Sequence, residues 1–459
     1  MLEKFFKFEE NGTNLRTELI AGITTFMTMV YILALNPAIL SAAPGLENAG
    51  GSILFATAVA SAIACFCMAA FANKPFALSA GLGLNAYFAY TVCGQFGYSW
   101  QVALTAVLTE GLIFIVMSLT NVREAIFNAI PKQLKTAVSV GIGLFITFIG
   151  LQNAHVIVDS STLVGLYSFK AALNNGTFFT EGITVILALI GVVVTAMMLI
   201  KGVKGYMLYG ILITWGLGII CELVGLYVPN PEMGFYSVLP TSFIAFPDMS
   251  VNMIFQFDFG FIFSHFLDFV VVVFAFLFVD IFDTLGTLIG CAAKADMLDE
   301  EGKLPGIKGA LLADAVGTTL GACLGTSTIT TFVESSSGIS EGGRTGMTAV
   351  VTGVLFLVSL FLAPLFLTIP SFATAPALIV VGFLMMQQVK DIDWFTDYAE
   401  AVPAFIAIAS MAFTYSISEG IAFGVIFYTL LHLLTGKTSK ITPLMYVLTV
   451  LFVLKYVFL

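Results

Sequence analysis

Apolar stretches, each about 20 residues long, follow one another along almost the whole chain. A helix of roughly that length crosses the hydrocarbon core of a bilayer, which is about 30 Å thick. Seven such stretches lie in each half of the sequence, so we expect about fourteen membrane spans. Only 10% of the 459 residues are charged, against about 25% in soluble proteins. The sequence therefore predicts an all-α polytopic membrane protein.

Lysine and arginine concentrate on one side of these spans. The long outer connections are poor in both, with only Lys170 in 154–179 and none in 229–260. Because cytoplasmic loops of membrane proteins are enriched in Lys and Arg, we expect a multi-pass protein of the cytoplasmic membrane with its N-terminus inside. The inner connections would then hold Lys74, Arg123, Lys132, Lys135, Lys201, Lys204, Lys294, Lys303, Lys308, Arg344, Lys390, Lys437 and Lys440.

An odd number of spans in each half predicts two inverted repeats. Related halves with seven spans each must insert with opposite orientation, which is a common arrangement in secondary transporters. A last apolar run at 441–459 either lies on the membrane or packs as an extra helix.

Spans three and ten, which occupy matching positions in the two halves, are short and rich in Gly, Ser and Thr. Glycines and serine in 75–88 precede Asn85, and 325–338 is rich in threonine and carries Glu334. Glycine and β-branched residues disfavour a helix, so we expect a short extended stretch in each. Non-helical backbone at membrane depth survives only where protein buries it or where it lines a cavity, and a matching pair points to a substrate site. An ordinary polar helix that packs through small residues is the alternative.

Carboxyl groups near mid-membrane give a second indication. Asp283 lies eleven residues before Lys294, which is roughly 16 Å along a helix. Asp280 is one turn further out and shares its face. Acids at this depth are costly and suggest function, although a neighbouring Thr or Asn could also satisfy them structurally. Glu334 begins a short half-helix, where the helix dipole favours an anion.

The first span adds hydroxyl and aromatic groups. Its symmetry mate is the eighth span (261–293), which carries Asp283. Thr24, Thr25 and Phe26 are therefore expected to face the same cavity as Asp283, although helix packing explains the threonines equally well.

The candidate side chains suit a flat heteroaromatic ring. Asn85 offers one acceptor and two donors, Asp283 and Glu334 offer acceptors, and Phe26 and Phe332 offer apolar faces. Two carboxylates would not suit an inorganic anion.

Several other function classes lose support. His155, His265 and His432 are far apart, and the six cysteines form no CxxC pair, so we expect no metal site, no cofactor and no intramembrane enzyme. The net charge of −10 argues against a nucleic-acid partner.

Four motifs carry a family resemblance: 25–31 (TFMTMVY), 81–88 (GLGLNAYF), 282–287 (FDTLGT) and 330–335 (TTFVES). They resemble the nucleobase–cation symporter-2 family, and more narrowly its azaguanine-resistance branch of purine permeases, over about 15–435. The resemblance implies a core domain and a gate domain. The core would comprise 15–120 and 255–368, the gate 121–230 and 369–436, with 437–459 as an apolar tail.

The resemblance also implies a site and an activity. Asp283 and Glu334 would grip the base beside Phe332, and the remaining candidate substrate contacts are Asn85, Thr25, Phe26, Thr284 and Val333. The expected activity is proton-coupled import of hypoxanthine, guanine and/or adenine, with Glu334 or Asp283 carrying the proton. Xanthine, uracil or an inorganic anion on the same fold is the alternative. The oligomeric state stays open, and a homodimer is one option.

Overall fold

A computed structural model describes residues 2–120, 130–160, 163–240, 242–299 and 304–458. In the first half the helices are α1 (Leu2–Phe6), α2 (Leu15–Met29), α3 (Ile32–Leu40), α4 (Gly50–Phe71), α5 (Leu82–Ala86), α6 (Trp100–Thr120), α7 (Lys132–Asn153), α8 (Phe169–Asn175), α9 (Ile183–Ile200) and α10 (Tyr206–Leu223). In the second half they are α11 (Gly260–Ser264), α12 (Phe266–Lys294), α13 (Ile307–Leu324), α14 (Ser335–Ser340), α15 (Gly346–Ser359), α16 (Ala363–Thr368), α17 (Ser371–Met386), α18 (Tyr398–Phe413), α19 (Ile417–Leu434) and α20 (Pro443–Phe458). The strands are β1 (Leu78–Ala80), β2 (Ile157–Ser160), β3 (Leu163–Leu166) and β4 (Ile329–Thr331).

The predicted spans coincide with helices, some of them divided into two, and spans three and ten each coincide with a strand followed by a short helix. Across the described ranges, nine helical segments are long and apolar enough to cross a membrane, and three shorter apolar helices accompany them. Apolar side chains also face outward: Val193 and Ile200 of α9 are 67% and 85% exposed. Such a surface needs a lipid environment, which confirms a multi-pass membrane protein. Arg123 and Lys303, expected in inner connections, lie outside the described residues.

A two-stranded ribbon occupies the centre of the fold. Strand β1 of span three pairs antiparallel with β4 of span ten, with Leu78 opposite Thr331 and Ala80 opposite Ile329. The ladder continues through Phe332, whose N–H donates to the carbonyl of Ala77 at 2.9 Å. Each strand thus satisfies the backbone groups of the other where no water can do so. The extended stretches predicted in spans three and ten are confirmed.

The long helices pack in two sets. In one, α4 contacts α13 and α15, while α6 contacts α13 and α2 contacts α15. In the other, α7 contacts α17 and α18, α18 contacts α19, and α9 contacts α10 and α17. Small residues permit the closest approaches, because a Cβ on Gly382 of α17 would lie 2.4 Å from the carbonyl oxygen of Gly143 on α7. Helix α12, which carries Asp283, contacts members of both sets.

The last apolar run packs as an extra helix, the second of the two options left open by the sequence. Helix α20 runs antiparallel to α19, and Thr449 donates to the Thr429 hydroxyl at 2.7 Å. Near its end, Tyr456 donates to Glu419 at the start of α19. A further element that the sequence did not predict is the β2–β3 hairpin, an antiparallel pair in the 154–179 connection.

Candidate functional site

Polar side chains from several helices hold the segment 326–330 in its extended form. The contacts are Asn36 Nδ2 to Thr326 Oγ1 at 2.9 Å, Thr328 Oγ1 to Glu110 Oε2 at 2.6 Å, Thr318 Oγ1 to the Ile329 carbonyl at 3.0 Å, and the Ile329 N–H to Thr318 Oγ1 at 3.2 Å. Buried polar groups need such partners, and here each one also fixes the backbone that precedes Phe332 and Glu334. The ribbon is therefore a rigid base for the residues that follow it.

Glu334 stands where β4 gives way to α14, as the sequence predicted. Its Oε1 accepts a hydrogen bond of 2.7 Å from the hydroxyl of Tyr31. The Tyr206 hydroxyl at the start of α10 is also close enough to interact electrostatically with this carboxyl. Glu334 is half-buried, so its carboxyl is held in place by Tyr31 yet is not enclosed.

Asp283 comes to the same place from helix α12. Its carboxyl interacts with the Thr330 hydroxyl of β4 and with the carboxyls of Glu334 and Asp314. Since Thr330 and Glu334 lie four residues apart, β4 and the turn after it bring both predicted acids to one site. A pair of acceptors beside a rigid ribbon can bind a ligand that presents several N–H donors.

A second acidic cluster lies behind Asp283. The Thr284 hydroxyl is 2.7 Å from Asp280 Oδ1 and 2.9 Å from Asp314 Oδ1. All three side chains are fully buried. The Thr284 hydroxyl therefore lies between two carboxyl groups and is within hydrogen-bonding distance of both. Thr284, predicted as a substrate contact, is therefore engaged by Asp280 and Asp314.

Three other predicted residues lie beside the ribbon. The Ser327 hydroxyl donates to Asn85 Oδ1, and Asn85 Nδ2 is buried without a hydrogen-bond partner among the described residues. Buried donors without partners are rare, so this amide is a candidate ligand contact. Phe332 is 6% exposed, whereas Val333 is 59% exposed. The side chain of Phe332 is thus buried beside the ribbon, and that of Val333 is exposed.

The two residues predicted on the first span are more peripheral. Thr25 is fully buried, and its hydroxyl faces Gly338 of α14 closely enough that a Cβ there would lie 2.1 Å away. Phe26 packs edge-to-face on Phe356, with ring centroids 5.4 Å apart. Thr25 therefore sets the position of α14 after Glu334, and Phe26 is anchored to α15.

The sequence missed Tyr31, Tyr206 and Asp314 as members of this group. Tyr31 lies in a break of the first span, between the end of α2 at Met29 and the start of α3 at Ile32. No glycine or proline stands at that break to reveal it. Asp314 did carry a signal, since an acid within an apolar helix is a functional candidate.

The comparison with protein families decides the class of protein. The family model Xan_ur_permease, described as a permease family, matches residues 16–423. The chain belongs to this family, the nucleobase–cation symporter-2 family. The resemblance seen in the sequence motifs is confirmed, and the protein is a transporter, not an enzyme.

Relatives match over almost the full length of the chain. A guanine/hypoxanthine permease of Bacillus subtilis is 42% identical and covers 100% of both chains. An adenine permease of Escherichia coli is 38% identical, with 100% of this chain and 96% of the relative covered.

Among solved structures, the transmembrane domain of the cyanobacterial bicarbonate transporter BicA has a TM-score of 0.62 at 17% identity. The match covers 90% of this chain and 97% of that domain. At that identity the similarity establishes the fold alone, and the predicted fold class is confirmed.

Proposed function

We propose that this transporter imports purine nucleobases (hypoxanthine, guanine and/or adenine) across the cytoplasmic membrane, coupled to protons. The convergence of Asp283 and Glu334 on the β1–β4 ribbon carries the proposal. Two acceptors facing one site complement the ring N–H and amino groups of a purine, while Phe332 offers an apolar surface for its face. The guanine/hypoxanthine and adenine permeases among the relatives support the substrate class.

The predicted division into a core (15–120 and 255–368) and a gate (121–230 and 369–436) remains part of the proposal. It is supported by the two sets of packed helices, which follow the same division. Tyr206, at the start of α10 in the gate, interacts with Glu334 in the core. Movement of the core against the gate would make and break this contact. We further propose the N-terminus in the cytoplasm, on the basis of the Lys and Arg distribution.

Proton coupling follows from the same acids. Either Asp283 or Glu334 would exchange a proton as the purine binds and leaves, because a charged carboxyl at membrane depth is costly without a partner. The Asp280–Thr284–Asp314 cluster places two more carboxyl groups behind Asp283.

The alternative substrates are xanthine, uracil or an inorganic anion on the same fold. An inorganic anion is the weakest of these, because Asp283 and Glu334 would repel it and no lysine or arginine contacts them in the described part of the chain. Competition distinguishes the others: unlabelled adenine, guanine and hypoxanthine should reduce uptake of labelled hypoxanthine more than xanthine or uracil does.

Uptake by cells that lack their own purine permeases tests the site. We expect Asp283→Asn and Glu334→Gln to lower hypoxanthine uptake at least about tenfold, since each loses a charged acceptor worth about 1.5–3 kcal/mol. Asp268→Asn, at the other end of α12, is the matched control and should transport normally. Uptake by Asp283→Asn and Glu334→Gln equal to wild type would overturn the proposed site.

Proteoliposomes test the coupling. An imposed inward proton gradient should drive hypoxanthine accumulation, and a protonophore should abolish it. Accumulation that follows a sodium gradient instead would remove proton coupling and leave the substrate proposal standing. Native mass spectrometry of the same preparation would distinguish a monomer from a homodimer.

A further inference from the structure

Asp397, Glu400 and His432 come together at one end of the bundle, on elements that take no part in the ribbon. Asp397 caps the N-terminus of α18, Glu400 lies in its first turn, and His432 lies in the last turn of α19. One ring nitrogen of His432 and one oxygen from each carboxyl all lie within 4.8 Å of one another. These residues are not part of any predicted site.

The histidine has an unused, buried lone pair. Its Nδ1 lies 2.9 Å from the carbonyl oxygen of Tyr428. Since a carbonyl can only accept, Nδ1 carries the proton in the neutral ring and Nε2 carries the lone pair. His432 is fully buried, and Nε2 has no hydrogen-bond partner among the described residues. A metal-binding histidine is oriented in this same way, with its other nitrogen donating to a backbone carbonyl.

Two partly exposed lysines form ion pairs with the carboxylates of Asp397 and Glu400. Lys437 and Lys440 lie 2.8 and 3.0 Å from the two oxygens of Asp397, and Lys440 also lies 2.8 Å from Glu400 Oε1. The lysine side chains are 42% and 44% exposed. Exposed ion pairs contribute little to stability, so either lysine can turn into water at little cost.

We propose that Asp397, Glu400 and His432 bind a divalent transition-metal ion, and that Lys437 and Lys440 neutralise the carboxylates when it is absent. One imidazole and two carboxylates, with a fourth position for water, form a ligand set suited to zinc. The imidazole disfavours Mg²⁺ and Ca²⁺, which prefer oxygen ligands. The ion would join the first turn of α18 to the last turn of α19.

Zinc binding to the purified full-length protein, with any affinity tag removed, tests this site. We expect micromolar Zn²⁺ to raise the thermal unfolding temperature and Mg²⁺ to leave it unchanged. His432→Ala should weaken zinc binding by more than about 100-fold, measured by competition with a chelating dye, because even outer-shell partners contribute 10–100-fold. His265→Ala, an exposed histidine stacked on Phe261, is the matched control and should bind as wild type.

The lysines distinguish a metal site from an ion-pair cluster. If they compete with zinc, the double variant Lys437→Ala and Lys440→Ala should bind zinc more tightly than wild type. Glu400→Gln should weaken binding and serves as a second ligand variant if His432→Ala does not fold. No zinc binding by wild type and by the double lysine variant, or wild-type zinc binding by both ligand variants, would overturn the proposal. Because binding is measured without transport, these outcomes are independent of the proposed substrate.

Discussion

Tyr31 should set the affinity of the transporter for its substrate, through its hydrogen bond to Glu334. Its hydroxyl donates to Glu334 Oε1 at 2.7 Å, and the side chain is 2% exposed. Tyr31→Phe keeps the ring and its packing and removes only this bond. Hydrogen bonds to charged groups contribute about 1.5–3 kcal/mol. At 1.4 kcal/mol per factor of ten, that corresponds to roughly 10–100-fold in the affinity of a ligand held by Glu334.

The measurement is the concentration dependence of hypoxanthine uptake, normalised to the amount of protein in the membrane. We expect Tyr31→Phe to raise KM by that factor, because Glu334 loses the contact that fixes its orientation. Tyr227→Phe is the matched control. Its side chain is as buried as that of Tyr31, and its hydroxyl donates to the carbonyl of Tyr236 at 2.7 Å. Neither residue is close to β1 or β4 in sequence. It should lower the unfolding temperature and leave KM unchanged. Equal KM values for the two variants would refute the positioning role of Tyr31.

Three further perturbations test the packing around the site. Glu18→Ala should lower the free energy of unfolding by roughly 2–5 kcal/mol and so lower the unfolding temperature. The Glu18 carboxylate accepts from three backbone N–H groups and the Thr348 hydroxyl at the start of α15, and an unchanged melting curve would contradict its role there. Gly338→Ala should reduce uptake strongly, because the added Cβ would lie 2.5 Å from the Ala21 carbonyl oxygen and push α14 away. In the control Gly286→Ala, the added Cβ meets no atom within 4 Å, so this variant should transport normally. Deletion of 441–459 should lower the unfolding temperature in detergent, as α20 covers α19; a truncated protein as stable as the full chain would show that this helix is dispensable.

The acids of the site were predictable because depth in the membrane can be read from sequence. Asp283 was found by counting residues to Lys294, and Glu334 by its place after a threonine-rich stretch that cannot remain helical. Both predictions needed only local periodicity and distance along one span. The matched extended stretches followed in the same way from composition.

What the sequence could not provide was the pairing between distant segments. The contact between Thr284 and Asp314, thirty residues later, is one example, because the sequence does not show that the two side chains lie 2.9 Å apart. Tyr31 lies in the 25–31 motif, but its contact with Glu334, some 300 residues away, cannot be inferred from that motif. The position of 441–459 was likewise undecidable from hydropathy, since an apolar run fits both a surface helix and a packed one. Contacts such as Tyr456 to Glu419 decide it.

The β1–β4 ribbon constrains the order in which the protein can fold during its synthesis. Strand β1 pairs with Ile329–Thr331, about 250 residues later, and a ribosome needs roughly 10–50 s to make that length at 5–20 residues per second. Until then, the carbonyl of Ala77 and the N–H of Gly81 lie in the membrane without the partners that Phe332 and Thr328 later provide. The first seven spans therefore cannot complete their fold until the second half has been synthesised, and they need protection until then. Mutations that slow completion of the second half should expose the first half to degradation before any transport defect can be measured.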